Sequence, residues 1–158
     1  MKSKFNNNYI LIACVAVLIT ICFLSVNKPI KFDREKNARE TVVKKRLLTI
    51  RSAEEQYRQK RGTYCNFSTL IRYHYLADSM QYIPFAGKKR FKISVSSTIS
   101  KSGKQIPLME CGANYRDYLQ GMDANEIANL EEKANSDGGF PGLKFGDIVD
   151  NNDNDINW

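Results

Sequence analysis

The sequence predicts an α+β fold, in which an N-terminal transmembrane helix continues into a long amphipathic helix packed on a small antiparallel sheet. Three patterns support this class. Residues 9–26 carry no charge, apolar residues then recur at helical spacing up to residue 61, and apolar and polar residues alternate from Phe91 onward. A chain of 158 residues leaves room for one modest domain beyond the apolar segment.

Residues 9–26 read YILIACVAVLITICFLSV, and only Thr20 and Ser25 interrupt their apolar character. Eighteen residues at 1.5 Å per residue span about 27 Å, close to the hydrocarbon thickness of a bilayer. The apolar part of a cleaved signal peptide is shorter, at about 7 to 15 residues. The pattern therefore predicts a retained transmembrane helix, preceded by a basic flank over residues 1–8.

An amphipathic helix is predicted over residues 27–61, after a short hinge at residues 27–29. Asp33 is placed to cap its start, and Gly62 is placed to end it. Steps of four, three, three and four separate the members of its apolar stripe, which are Val43, Leu47, Ile50, Ala53 and Tyr57. This spacing puts the stripe on one helix face, which must cover another element.

The antiparallel sheet is predicted within residues 62–158. The segment FKISV alternates apolar and polar residues, a glycine turn follows at 101–104, and a return strand is predicted at 106–111. A short acidic helix should end before Gly138, and FPGLKFGDIV should form another brief extended segment.

The net charge of +7 divides unevenly along the chain. Residues 1–104 hold 21 Lys or Arg against 6 Asp or Glu, and residues 105–158 hold 3 against 11, so the two parts carry +15 and −8. Because the positive charge begins beside the apolar segment, anionic headgroups are a nearer partner than nucleic acid, which we do not expect to bind. Opposite charges also favour head-to-tail self-association, although a solvated basic helix face explains the same pattern.

The four cysteines form two pairs of different character. Cys14 and Cys22 lie in the apolar segment and are interpreted as apolar filler. Cys65 and Cys111 would form a disulfide in an exported domain, or remain as two buried thiols. The sequence leaves both possibilities open.

The sequence contains no recognisable catalytic motif, and we predict that the protein is not an enzyme. His74 is the single histidine and lies between two tyrosines, which is typical of a packing or surface residue. No HExxH motif, phosphate loop or paired-carboxylate spacing occurs.

Two short motifs frame the predicted domain. The first is IRSAEEQYRQKRGTYCNFSTL, with Tyr57, Gly62 and Tyr64, and the second is the terminal DINW, with Trp158. They resemble motifs of type IV pilin-like proteins, in particular the major pseudopilin of type II secretion systems. The resemblance implies a membrane-anchored structural subunit of a cell-envelope secretion or filament assembly. The chain departs from the family at the apolar segment, because no glycine marks a prepilin cleavage site before it and no glutamate occurs within it.

A single-pass binding module, which holds a partner without polymerising, is the alternative function. The charge bias across the apolar segment taken alone favours a cytoplasmic domain, because more basic residues follow the segment than precede it. Domains longer than about 60 residues translocate largely regardless of this bias. We therefore follow the resemblance and expect a single pass through the bacterial inner membrane, with a periplasmic C-terminal domain.

The last residues are expected to form an ordered tail, with Trp158 docked on the sheet. Calcium prefers closely spaced oxygen ligands, and the resemblance implies that an Asp-rich loop before the terminal tryptophan binds it. The candidate ligands are Asp147, Asp150, Asn152, Asp153 and Asp155. The alternative is a solvated turn, held by hydrogen bonds from Asp and Asn to their own backbone.

Overall fold

The structure is a computed structural model that describes the backbone of residues 7–149 and 151–158, and the side chains of residues 8–23, 25, 29–149 and 151–158. Its elements are α1 (Asn7–Arg61), α2 (Phe67–Arg72), a 3-10 turn (Asp78–Gln81), β1 (Lys92–Ile99), β2 (Gln105–Asn114), α3 (Tyr115–Tyr118), α4 (Ala124–Ser136) and β3 (Gly142–Asp147). The chain divides into two compact units, Met1–Asn37 and Ala38–Trp158. The α+β class with an antiparallel sheet is confirmed.

The structure contradicts the transmembrane helix predicted over residues 9–26. Among the described residues, no helix is both long enough and apolar enough to cross a membrane. Residues 1–6 of the predicted basic flank lie outside the described residues.

The hinge predicted at residues 27–29 is absent from the described backbone, because α1 continues through Pro29. A proline inside a helix removes one backbone hydrogen bond. This helix has 55 residues and continues on both sides of Pro29 despite the missing hydrogen bond. Asp33 is therefore not a helix cap. It lies within α1, with its carboxylate 3.6 Å from the ammonium nitrogen of Lys36.

In the second unit, α1 presents most of the predicted apolar stripe to the core. Val43, Leu47 and Ile50 are fully buried and Ala53 is nearly so, whereas Tyr57 is half-buried. The other fully buried residues with large side chains come from the α2 segment, the sheet and α3, and they are Leu70, Met109, Cys111, Tyr118, Leu119 and Phe145, together with Glu54 of α1. The helix face and two strands of the sheet thus build one core.

The sheet has three antiparallel strands in the order β1-β2-β3. The predicted hairpin is confirmed, with Lys92 opposite Gly112 at one end and Ile99 opposite Gln105 at the turn. β2 extends beyond the prediction to Asn114, since its second half also pairs with β3. This double pairing makes β2 the central strand, and it is more buried than β1.

The predicted acidic helix is confirmed as α4. The side chain of Asp123 caps it by accepting a hydrogen bond of 2.9 Å from the N–H of Asn125. Gly138 follows its end with a positive φ of 68°, a conformation that glycine adopts without strain. The extended segment predicted after it is β3.

Candidate functional site

The C-terminal end of α1 is built as the first motif predicts. Gly62 has a φ of 77° and donates its N–H to the carbonyl of Arg58 at 2.7 Å, which ends the helix. The ring of Tyr57 lies 6.3 Å from that of Tyr73 and 5.7 Å from that of Tyr75, the second pair edge to face. Both distances are typical of stabilising aromatic pairs. The chain that follows α1 therefore returns against its last turns.

Tyr64 connects this turn to the C-terminal tail. Its buried phenol oxygen accepts hydrogen bonds from the guanidinium of Arg58 at 2.8 Å and from the side-chain amide of Asn154. Asn154 is itself buried and has a φ of 58°, a left-handed conformation that asparagine tolerates better than most residues. The pair fixes the tail to the loop after α1.

The tail lies along β3 as a short strap. Ile156 forms an isolated antiparallel bridge with Phe145. The side chain of Asn157 accepts from the N–H of Lys144 at 2.8 Å and donates to the carbonyl of Gly142 at 3.0 Å. The backbone of the tail therefore docks on the sheet edge and satisfies groups that would otherwise be unpaired there.

The indole of Trp158 is half-buried and lies beside α1. The ammonium nitrogen of Lys44 is 5.8 Å from the centre of its ring, within the range of a cation–π interaction. The terminal aromatic thus extends the strap from the sheet edge to the helix.

Two of the predicted calcium ligands, Asp147 and Asp155, have partners within the chain. Asp147 is engaged by the ammonium of Lys144 at 3.4 Å and the N–H of Val149 at 2.8 Å, and Asp155 accepts from the N–H of Ile156. In the part of the chain that the structure describes, no three His, Cys, Asp or Glu side chains come together as metal ligands.

The other predicted ligands are Asp150, Asn152 and Asp153. Asn152 and Asp153 are exposed, Asp150 lies outside the described residues, and the carbonyl of Asp153 faces the guanidinium of Arg51 at 3.5 Å. Calcium binding by this loop stays a prediction.

A buried carboxyl–thiol cluster lies in the core of the second unit. The carboxyl of Glu54 is fully buried and accepts a hydrogen bond of 3.1 Å from the backbone N–H of Cys65, whose Sγ lies 4.0 Å from the other carboxyl oxygen. Burial raises the pKa of Glu54 to about 7, because the charged form is desolvated, and the hydrogen bonds from Cys65 offset only part of this. Glu54 therefore exchanges a proton near neutral pH.

Cys65 and Cys111 are free thiols in this structure. Burial, followed by the negative charge of Glu54, raises the pKa of Cys65 to about 12. The same two causes, with a smaller contribution from Glu110, raise the pKa of Cys111 well above its ordinary value. Because the thiolate is the nucleophile, both thiols react slowly at neutral pH. The Cys65–Cys111 disulfide stays a prediction.

Sequence reasoning missed Glu54, although a signal was present. The spacing Leu47, Ile50, Glu54, Tyr57 continues the steps of three and four, so Glu54 occupies a core position of the stripe. A glutamate on the apolar face of a helix indicates a buried acid, and the assignment of Ala53 to the stripe concealed it.

His74 lies on the surface, in the turn after α2. It is exposed, has a φ of 59° and donates its N–H to the carbonyl of Ile71 at 3.0 Å. This location agrees with its interpretation as a packing or surface residue. That the protein is not an enzyme stays a prediction.

The described part of the first unit exposes an apolar surface. Six large side chains are each 60–70% exposed, and they are Tyr9, Leu11, Ile12, Leu18, Ile19 and Phe23. A contiguous apolar surface of this kind marks a site of interaction. We call it the apolar segment surface.

Comparisons of the chain with protein-family models, curated proteins and solved structures give no match. Function is therefore inferred from the fold and from these surfaces.

Proposed function

We propose that the chain is a pilin-like structural subunit of a cell-envelope secretion or filament assembly. The apolar segment surface carries this proposal, because a helix that exposes six large apolar side chains needs a partner to bury them. Burial of one such side chain stabilises by about 1.5–3 kcal/mol. The stabilisation from burying all six is comparable with the cost of association, which is about 4–15 kcal/mol for the loss of translational and rotational freedom.

The second unit supplies the folded body of the subunit. Its core is closed by the strap, and its surface carries both signs of charge, including exposed basic residues on α1 and exposed acids on α4. In an assembly, the apolar segments of neighbouring copies bury one another, while the second unit of each copy keeps its charged surface in water. This division of roles is the one that the resemblance to pilin-like proteins implies.

The proposal places the second unit on the periplasmic side of the cell envelope. A phosphatase that is active only in the periplasm, fused after Trp158 through a flexible linker, should be active. A reporter that is active only in the cytoplasm should be inactive at the same position. The opposite pattern would overturn this location.

Self-association is tested by co-purification of two differently tagged copies. Insertion of the tags at residues 101–104 uses the exposed turn between β1 and β2 and leaves the strap intact. We expect each copy to recover the other, and we expect Ile12→Asp with Leu18→Asp to abolish this recovery. Recovery of one different protein, without the second copy, would support the binding module instead.

A further inference from the structure

The solvent face of α1 in the second unit forms an open groove with a basic rim. Lys45, Leu48, Ser52 and Gln56 line it from the helix, and Tyr75 lines it from the segment after α2. Leu48 is 45% exposed, so the floor is partly apolar. No acidic side chain is among the described residues that line the groove.

Two more cations of the rim lie against the rings of Tyr73 and Tyr75 at the end of α1. The ammonium nitrogen of Lys60 lies 5.3 Å from the ring centre of Tyr75, and the guanidinium of Arg61 lies 5.3 Å from that of Tyr73. Both cations are exposed and remain available to an acidic partner on their outer side. We call the surface from Lys45 to Arg61 the basic groove.

We propose that the basic groove binds α4 of a second copy of this chain. α4 and its caps carry the exposed acids Asp123, Glu126, Glu132 and Asp137 against one exposed cation, Lys133. Glu131 is not counted, because it pairs with Arg116 at 2.7 Å within the same copy. The charges of the two surfaces are therefore complementary.

The two surfaces also match in length. At 1.5 Å per residue, Lys45 and Lys60 are about 22 Å apart along α1, and Asp123 and Asp137 are about 21 Å apart along α4. Asp123, Glu126 and Asp137 share one side of α4, because they are three and eleven residues apart. The acids at the two ends of α4 then meet the cations at the two ends of the groove.

A contact between two different surfaces of the same chain is heterologous, so it extends into an open array unless its rotation closes a ring. This inference rests on the proposed function and specifies one contact through which the subunits assemble.

The contact is tested by photo-cross-linking in intact cells with the full chain. A benzophenone amino acid in place of Ser52 lies in the centre of the groove. We expect a cross-linked dimer whose adduct maps to α4. Lys45→Glu with Lys60→Glu should lower its yield at least about tenfold, because like charges then face each other. As a matched control, Lys88→Glu with Lys101→Glu makes the same charge change at exposed positions outside the groove and should leave the yield unchanged.

Restoration by a charge swap identifies the partner surface. The double variant Glu132→Lys with Asp137→Lys should by itself lower the yield of the cross-linked dimer. When it is combined with Lys45→Glu and Lys60→Glu, the yield should be restored. Both positions are exposed, and lysine near a helix C-terminus is compatible with the helix dipole.

Each other outcome is decisive. A yield that survives groove reversal, a lost yield that the swap does not restore, or an adduct with a different acidic protein would overturn the inference. Co-purification of tagged copies would still establish the proposed function in those cases, whereas failure of native copies to co-purify would overturn both.

Discussion

Tyr64 and Asn154 form a buried side-chain hydrogen bond across ninety residues of chain. The phenol oxygen also accepts from Arg58, so one buried group joins the last turn of α1, the loop after it and the C-terminal tail. The end of α1 and the C-terminal tail are thereby coupled through a single hydroxyl.

Disruption of this pair should destabilise the second unit. Tyr64→Phe leaves the amide of Asn154 buried without its partner, which costs about 1–3 kcal/mol of unfolding free energy. Asn154→Gly removes the amide but tolerates the positive φ of that position. Urea unfolding of both single variants and the double variant should give a coupling energy of about 1 kcal/mol. Strict additivity of the two changes would contradict the contact, and Asn129→Ala on the exposed side of α4 serves as the neutral control.

Glu54 should make the stability of the second unit depend on pH. Its pKa rises from an ordinary value of 4.5 to about 7 on folding, so the folded state holds the proton more tightly. The stability due to this proton is complete below about pH 4.5 and is lost as the pH rises through 7, a change of about 3 kcal/mol. The groups that face Glu54 are the thiols of Cys65 and Cys111, which stay neutral over this range.

Glu54→Gln should flatten this pH dependence and make the protein more stable than the native chain at pH 8. Urea unfolding between pH 4 and pH 8 measures it. Glu55→Gln changes the neighbouring half-exposed carboxylate, and its curve should keep the native slope. A native slope in Glu54→Gln would contradict the buried acid.

The same carboxyl should control the reactivity of Cys65. Burial and the charge of Glu54 raise the thiol pKa to about 12, so alkylation of Cys65 at pH 8 should be slow. Glu54→Gln removes the charge and should accelerate the reaction, which mass spectrometry of iodoacetamide-treated protein can measure. The assay with and without reductant also reports the predicted Cys65–Cys111 disulfide. Equal alkylation rates in the native chain and the variant would exclude an electrostatic effect of Glu54.

The strap should hold Trp158 without a metal ion. Asn157→Ala removes two hydrogen bonds to β3, at a cost of about 1–3 kcal/mol, and should shift the fluorescence of the single tryptophan to the red. A calcium chelator should leave both fluorescence and the unfolding midpoint of the native chain unchanged, because Asp147 and Asp155 already have internal partners. A red shift and a lower midpoint on chelation would establish calcium as a ligand of this loop.

Local patterns predicted the elements well where a single physical rule governs them. Gly62 ends α1 because its left-handed conformation suits glycine, and the alternation in FKISV with the following turn predicts the hairpin. Contacts between residues far apart in the chain could not be predicted from such local patterns. The hydrogen bond between Tyr64 and Asn154 joins segments ninety residues apart, and no periodic pattern in the sequence indicates it.

The largest differences between prediction and structure occur where one residue is chemically unlike its neighbours in the sequence. Pro29 predicted a hinge, yet the long helix on both sides contains it. Glu54 is charged, yet its register places it in the core. The calcium ligands were predicted from the spacing of Asp and Asn and from the resemblance; Asp147 and Asp155 have partners within the chain, and calcium binding stays a prediction.

The mass of cross-linked species tests the central claim of self-assembly most directly. A benzophenone amino acid in place of Leu18 lies in the apolar segment surface, and the same residue in place of Ser102 lies in the exposed turn between β1 and β2. After illumination of intact cells, the Leu18 variant should give a ladder at multiples of 18.1 kDa, and the Ser102 variant should give little of it. A single adduct with one different protein, or monomer alone, would contradict a structural subunit.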